Sequence, residues 1–174
     1  MAPKTTTPVL SADQFKAAFR EHPAGVAVIT ATANGEHVAL TATSVASVSA
    51  EPPLLMFSVS ALSSSTPTIL RADTVVIHLL SSDQLGIAKL GATHGVDRFA
   101  DATIWSTFET GEPYFLAVRA WIRGRVISRT PAGGSAIVLV EALDAQVIDD
   151  VRPPLVYHDR TWHTLGDHSR IEGV

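Results

Sequence analysis

The fold class is decided by residues 26–43, VAVITATANGEHVALTAT. Asn34-Gly35 is the dipeptide most typical of a two-residue β-hairpin turn. The apolar run Val26 to Thr30 before it is typical of a buried strand, and residues 36–43 supply the return strand. The stretch therefore predicts an antiparallel hairpin.

The rest of the chain continues this β-rich pattern. Ser11 and Gln14 match a helix capping box and predict a short helix over residues 12–21. Leu54 to Val59 is short and apolar, as in a buried strand. Two long β-rich segments follow, Phe115 to Ser128 and Ala136 to Val147, separated by a Thr130–Gly134 turn. Strands joined by tight turns, with few helices, favour an antiparallel barrel.

The composition is that of one domain. The chain has 174 residues, of which 46% are hydrophobic and 17% charged, so it can form a sizeable core. We expect a domain over residues 11–165, a mobile N-terminal tail (1–10) and a C-terminal tail (166–174). The net charge of −4, with scattered basic residues, argues against a nucleic-acid or membrane-surface partner.

The absence of cysteine excludes disulfides, thiolate catalysis and cysteine-built metal centres. No apolar run reaches the roughly 18 residues of a membrane span, and the first residues do not resemble a signal peptide, so we expect a cytoplasmic protein. His158, His163 and His168 recur at equal spacing. Because odd spacing along one strand places neighbours on opposite faces, we predict no metal site.

Two runs of hydroxyl side chains are candidates for binding a polar ligand. Residues 41–49, TATSVASVS, are small enough for a flat polar ring to approach their backbone amides, although an ordinary Thr- and Ser-rich strand explains them too. Residues 63–66, SSST, offer hydroxyls and amides to a phosphate, or simply cap a helix.

The order of these features resembles the flavin reductase family of FMN-binding split β-barrels. The cues, in order, are the strand and hairpin from Gly25, residues 41–55 (TATSVASVSAEPPLL), Ser63 to Thr66, Gln84, Asp97-Arg98-Phe99 and Pro154 to Tyr157. The resemblance covers about residues 11–165. It implies a mainly β (α+β) antiparallel split barrel with a few short helices. It also implies a homodimer that binds FMN, or FAD, and reduces it with NADH or NADPH, in many members for a partner monooxygenase.

The resemblance assigns roles to individual residues. The isoalloxazine ring would be lined by Thr41, Thr43, Ser44 and Val45, and the ribityl chain would lie near Ser58 and Val59. The phosphate would be held by Ser64, Ser65 and Thr66, with Lys89 and Arg98 as cationic partners and Phe99 closing over the flavin. For Arg98 the alternative is a surface ion pair with Asp97 or Asp101. No catalytic acid or base is assigned, because hydride transfer is the chemistry of the cofactor.

One position departs from the family pattern. Members usually carry Gly-Asp-His at the start of the penultimate long strand, near the nicotinamide, whereas this chain has Gly133-Gly134-Ser135. Ser135 is then the residue on the nicotinamide side, and it has neither charge nor ring. We therefore expect weak nicotinamide binding.

The predicted function is an NAD(P)H-dependent flavin reductase. Two alternatives remain at this point. One is a flavin-dependent reductase of another small substrate. The other is a flavin-binding protein without turnover, or a dimeric interaction module that has lost the ligand.

Overall fold

A computed structural model describes residues 9–171, and within that range the protein is built mainly from β-strands. Its helices are α1 (Ala12–Arg20), α2 (Thr66–Arg71) and α3 (Leu85–Ala92). Its strands are β1 (Ala24–Gly25), β2 (Ala27–Ala33), β3 (Glu36–Ala42), β4 (Ala46–Ser49), β5 (Leu54–Ser60), β6 (Thr74–Leu79), β7 (Trp105–Thr107), β8 (Pro113–Phe115), β9 (Ala120–Ala132), β10 (Ser135–Val147), β11 (Leu155–His158) and β12 (Thr161–Thr164). None of the helices between residues 9 and 171 is long and apolar enough to cross a membrane.

The two predicted tails fall partly outside the described residues. Of the N-terminal tail, only Val9 and Leu10 are described, and both are exposed. Of the C-terminal tail, residues 166–171 are described and include a 3-10 turn at Asp167–Ser169. The capping box predicted for the first helix is present, since Gln14 N–H donates to the Ser11 hydroxyl (3.2 Å) and Ser11 N–H donates to Gln14 Oε1 (3.1 Å).

The main sheet has seven antiparallel strands in the order β3-β2-β6-β9-β10-β5-β4. Strands β3 and β4 are consecutive in the chain but lie at opposite edges of this sheet. Only residues 43–45 join them, and an extended chain of that length reaches about 14 Å, so the sheet must curl until its edges almost meet. The edges stay unpaired in the described structure. The predicted antiparallel split barrel is therefore confirmed.

The core lies on both sides of the curled sheet. Along β5 the side chains of Leu55, Phe57 and Val59 point into the barrel, while those of Met56 and Ser58 are exposed. This alternation is the period-two pattern of a strand with one buried face. Helix α2 adds Ile69 to the barrel interior, and α3 covers the outer side of β2 and β3.

His78, on β6, is a fully buried polar side chain held in one tautomer. Its Nδ1–H donates to the Val28 carbonyl (2.9 Å), and its Nε2 accepts from the Phe115 N–H (3.1 Å). Burial lowers the pKa of His78 from 6.5 to about 4, although the hydrogen bond to Val28 opposes the shift. The ring is therefore neutral at physiological pH and joins β6 to β2 and β8.

Glu112 is a buried carboxylate, 2% exposed, beside Arg123 on β9. Arg123 Nη2 lies 3.0 Å from Glu112 Oε1, and the hydroxyls of Thr74 and Thr110 also donate to this carboxylate. Burial by itself raises the pKa of Glu112, but the hydrogen bonds from Thr110, Thr74 and Arg123 together lower it. The pair is therefore charged, and every partner is satisfied locally.

Some predicted strand boundaries were wrong. The segment Phe115 to Ser128 is not one strand, because β8 ends at Phe115 and β9 begins at Ala120. Strand β9 then continues through Pro131, where it pairs only with β10, so the missing N–H of proline is tolerated. The turn shrinks to Gly133-Gly134, with Gly133 at φ 60°, which glycine adopts without strain.

Candidate functional site

The split in the sheet is where the predicted ring-lining residues meet. Thr43, Ser44 and Val45 form the connection between β3 and β4. The Ser44 hydroxyl donates to the Ser58 carbonyl (3.2 Å) and accepts from the Ser58 N–H (3.0 Å). The Ser44 side chain therefore ties the β3–β4 connection to β5, where the described residues form no backbone hydrogen-bond ladder.

A cavity of about 940 Å³, the large cavity, opens beside this connection. One wall is the split itself and includes four predicted residues, Thr43, Ser44, Val45 and Ser58. The other wall comes from α1 and from the turn between β11 and β12, and its side chains include Phe15, Lys16, Phe19, Arg20, Tyr157, His158, Asp159 and Arg160. A cavity of this size is in the range of small-molecule sites.

A second cavity of about 210 Å³, the small cavity, gathers four other predicted residues, Ser64, Ser65, Arg98 and Phe99. Arg98 Nη2 donates to the Thr93 carbonyl (2.8 Å), which fixes the guanidinium. Arg98 Nε is buried and has no partner among the described residues. A buried donor without an acceptor is costly, so this atom marks a place where an anion fits.

Strand β3 runs between the two cavities. Val38, near its start, lines the small cavity, and Thr43, just past its end, lines the large one. Five residues of strand cover about 17 Å. A ligand with a flat ring, a flexible chain and a terminal phosphate has a comparable length and can reach from one cavity to the other.

Three predicted hydroxyls are already used inside the fold. Thr41 donates to the Ala88 carbonyl (2.6 Å), Ser65 to the Ala39 carbonyl (3.0 Å) and Thr66 to the Ser60 carbonyl (2.6 Å). Ser65 and Thr66 are buried as well. These side chains hold the site in shape, so the predicted residues that still offer a side-chain donor in the small cavity are Ser64 and Arg98.

Five predicted residues line neither cavity, and the structure places each of them. Val59 is 1% exposed and packs inside the barrel. Lys89 is exposed on α3. Ser135 begins β10 opposite Ser60, two residues along β5 from Ser58, on the same outer face. The other two are Thr41 and Thr66, described above.

The basic wall of the large cavity, formed by Lys16, Arg20 and Arg160, was not predicted from the sequence. Lys16 and Arg20 lie one turn apart on α1, beside the exposed rings of Phe15 and Phe19. The signal was the amphipathic pattern of α1, in which no residue is buried. His158 and His163 do not share one strand, as their spacing was taken to mean: a turn places them on two paired strands with ring centres 5.7 Å apart.

Known proteins resemble this chain along most of its length. The family model for the flavin reductase like domain matches residues 19–166. An NADH:FMN oxidoreductase from Rhodococcus qingshengii is 37% identical over 164 residues, which are 92% of this chain and 85% of the relative. The reductase component of an FADH(2)-dependent resorcinol hydroxylase from Rhizobium sp. is 28% identical over 145 residues, covering 81% of this chain and 80% of the relative.

The fold is shared with solved structures as well. The crystal structure of a flavin reductase domain protein from Arthrobacter sp. FB24 superposes with a TM-score of 0.84 at 35% sequence identity, covering 88% of this chain and 95% of that one. The family model, the sequence identities and the shared fold lead to one conclusion. This chain belongs to the flavin reductase like domain family.

Proposed function

We propose that this protein is an NADH-dependent flavin reductase whose flavin is FMN, bound along β3 with its ring in the large cavity and its phosphate in the small cavity. The activity follows the family and the NADH:FMN oxidoreductase relative. The observation that carries the binding mode is the unpartnered, buried Arg98 Nε beside Ser64. A phosphate oxygen there would complete the hydrogen bonding of the guanidinium.

Two carboxylates also line the small cavity, and both are occupied by local donors. Glu36 lies 3.7 Å from Arg71 Nη2 and accepts from the Thr68 hydroxyl (2.6 Å). Asp97 Oδ1 accepts from the Phe99 N–H (2.9 Å). Their charge is therefore partly compensated, and Arg98 remains the cation available to a phosphate.

At the ring end, the chain orients the ligand and excludes water. The Ser44–Ser58 bridge fixes the shape of the wall, and small side chains let the ring approach the backbone. When bound, the flavin supplies the acceptor for a hydride from NADH, so the site needs no catalytic acid or base. Phe99 packs against Phe115 with ring centres 6.0 Å apart and gives the small cavity a rigid apolar side.

Titration of FMN and of riboflavin against the Arg98→Ala variant tests the phosphate site. Loss of one charged contact costs about 1.5–3 kcal/mol, so the Kd for FMN should rise at least tenfold, whereas that for riboflavin, which has no phosphate, should not change. Arg125→Ala is the matched control, because this arginine is exposed on β9 and lines neither cavity. Equal FMN affinity in wild type and Arg98→Ala would refute the assignment.

Anaerobic addition of NADH to the FMN-loaded protein tests turnover. Bleaching of the flavin absorbance is the expected result. A protein that binds FMN but is not bleached by NADH or NADPH would instead be a flavin-binding protein without this turnover.

The proposal includes a homodimer. The outer face of the sheet carries exposed apolar side chains next to the large cavity, among them Val48 (51% exposed), Met56 (39%), Ile127 (45%) and Ile137 (40%). Met56 belongs both to this face and to the cavity wall. A second copy of the chain covering the face would shield the apolar surface and close the ring end of the site.

Sedimentation velocity tests the dimer. Wild type should sediment at twice the 18.5 kDa chain mass, and Ile137→Glu should shift it toward the monomer. Val151→Glu is the control, because Val151 is fully exposed outside the sheet. A wild-type monomer at low micromolar concentration would contradict the proposal.

A partner monooxygenase and a cytoplasmic location complete the proposal. The relative from Rhizobium sp. is the reductase component of a hydroxylase, which supports transfer of reduced flavin to a second protein. The lack of cysteine fits a reducing compartment. A coupled assay tests the transfer. Reduced flavin made by this protein should support a flavin-dependent monooxygenase in the same solution. It should not do so when a barrier that flavin cannot cross separates the two proteins.

A further inference from the structure

The second wall of the large cavity is positively charged. Lys16 and Arg20 on α1 and Arg160 in the β11–β12 turn line it, with Asp159 as the single carboxylate. The chain as a whole carries a net charge of −4. This local excess of positive charge, set in a concave surface, favours an anionic ligand.

These cations have no strong partners in the fold. Arg20 Nε lies 3.9 Å from Asp159 Oδ1, and both side chains are about half exposed, so this pair contributes little. Neither Lys16 nor Arg160 forms an ion pair within 4 Å in residues 9–171. All three remain able to turn toward a ligand.

FMN does not use this charge in the binding mode proposed above. Its single phosphate group lies in the small cavity, about 17 Å along β3 from the ring end. The basic wall is therefore left for a second anion that must approach the flavin ring. The other reactant is a dinucleotide with two linked phosphate groups and two flat rings.

On the basis of the proposed function, we propose that Lys16, Arg20 and Arg160 bind the phosphate groups of NADH at the basic wall of the large cavity. The rings of Phe15, Phe19 and Tyr157 line the same cavity and offer faces for the adenine. This arrangement directs the nicotinamide toward Ser58 and the outer face that carries Ser135. Charge on α1 and on the turn would then compensate for the missing Asp-His pair.

The backbone of the turn makes a clean test feasible. Asp159 and Arg160 have φ values of 43° and 61°, a left-handed conformation that favours glycine. The Asp159 N–H also donates to the Arg20 carbonyl (3.1 Å), which joins the turn to the end of α1. Arg160→Gly therefore removes the cation without straining the backbone, and an unchanged melting temperature would separate lost binding from lost folding.

The matched control is Asn34→Gly. Asn34 is an exposed left-handed residue in a different hairpin turn, with φ 53°, and it lines neither cavity. Both variants should keep or raise the melting temperature. Only Arg160→Gly should raise the KM for NADH, by about three- to tenfold, with kcat and the Kd for FMN unchanged. Lys16→Met should act in the same direction, and Arg160→Lys should retain most of the affinity.

Calorimetric titration of NAD⁺ into the oxidised, FMN-loaded protein gives a second readout that needs no turnover. The Kd for NAD⁺ should be higher in Arg160→Gly than in wild type. It should also rise less steeply with salt concentration, because one charged contact is gone. An unchanged KM for NADH and Kd for NAD⁺ would overturn this inference while the proposed function stands. A weaker Kd for FMN, or a shift in oligomeric state, would also overturn it. Absence of NADH oxidation in wild type would instead refute the proposed function.

Discussion

Lowering the pH from 7 to 5 should weaken the fold through His78. The folded state holds this ring neutral because its pKa is about 4, whereas the unfolded chain takes up the proton near pH 6.5. Between these values the unfolded state binds more protons than the folded state does. The free energy of unfolding therefore falls as the pH falls, by up to about 1.4 kcal/mol per pH unit.

The size of the effect follows from the two pKa values. By pH 5 the loss is about 2 kcal/mol, and it approaches about 3 kcal/mol near pH 4. Glu112 has a lowered pKa in the folded state, so its own contribution is lost only at more acidic pH, as the carboxylate becomes protonated. The window from pH 7 to 5 therefore separates the contribution of His78 from that of Glu112.

Urea unfolding at pH 7, 6 and 5 measures this loss in wild type and in His78→Gln. The glutamine amide oxygen can still accept from the Phe115 N–H, but the amide does not titrate. The variant should be less stable than wild type at pH 7. Between pH 7 and 5 its free energy of unfolding should fall by about 2 kcal/mol less than that of wild type. An equal loss in both proteins would show that other groups set the acid sensitivity.

Two further substitutions test the site. A methyl group at Gly91 would press on the Thr41 hydroxyl and lie 3.1 Å from the Thr41 N, so Gly91→Ala should weaken FMN binding in a fluorescence titration. Gly86→Ala, on the same helix, is the control, because a methyl group there meets nothing within 4 Å. It should leave the FMN affinity unchanged and stabilise α3 by about 0.5–1 kcal/mol. Restoring the family pair through Gly134→Asp with Ser135→His should lower the KM for NADH, since Gly134 has open space around it. An unchanged KM would show that Ser135 does not vacate a binding role.

The local elements were predictable because their signals are local. The capping box of Ser11 and Gln14, the Asn34-Gly35 turn and the short apolar run of β5 each specify structure within a few residues. The short pair β7 and β8 gave no such signal. Its strands have three residues each, and Trp105 and Phe115 are positioned by packing against Phe99, which is a tertiary effect.

Part of the candidate site was predictable from the family resemblance rather than from local signals. Ser64-Ser65 and Arg98-Phe99 are two pairs more than thirty residues apart in the chain, and all four residues line the small cavity. The burial of Val59 follows from strand alternation, because its neighbour Ser58 faces outward. The basic wall could not be found from the sequence, since it depends on how α1 and the last hairpin pack beside the split.

The ion pair between the buried Glu112 and the partly buried Arg123 constrains how this sequence can diverge. Replacing either residue alone would strand a charge in the interior at a cost of about 3–5 kcal/mol, which is a large part of the stability of a small domain. Replacing both with apolar residues of similar size is far less harmful. A homologue that loses the pair must therefore replace both residues almost together or pass through a poorly folded intermediate. The two residues should therefore be kept or lost together, even where the surrounding surface residues vary.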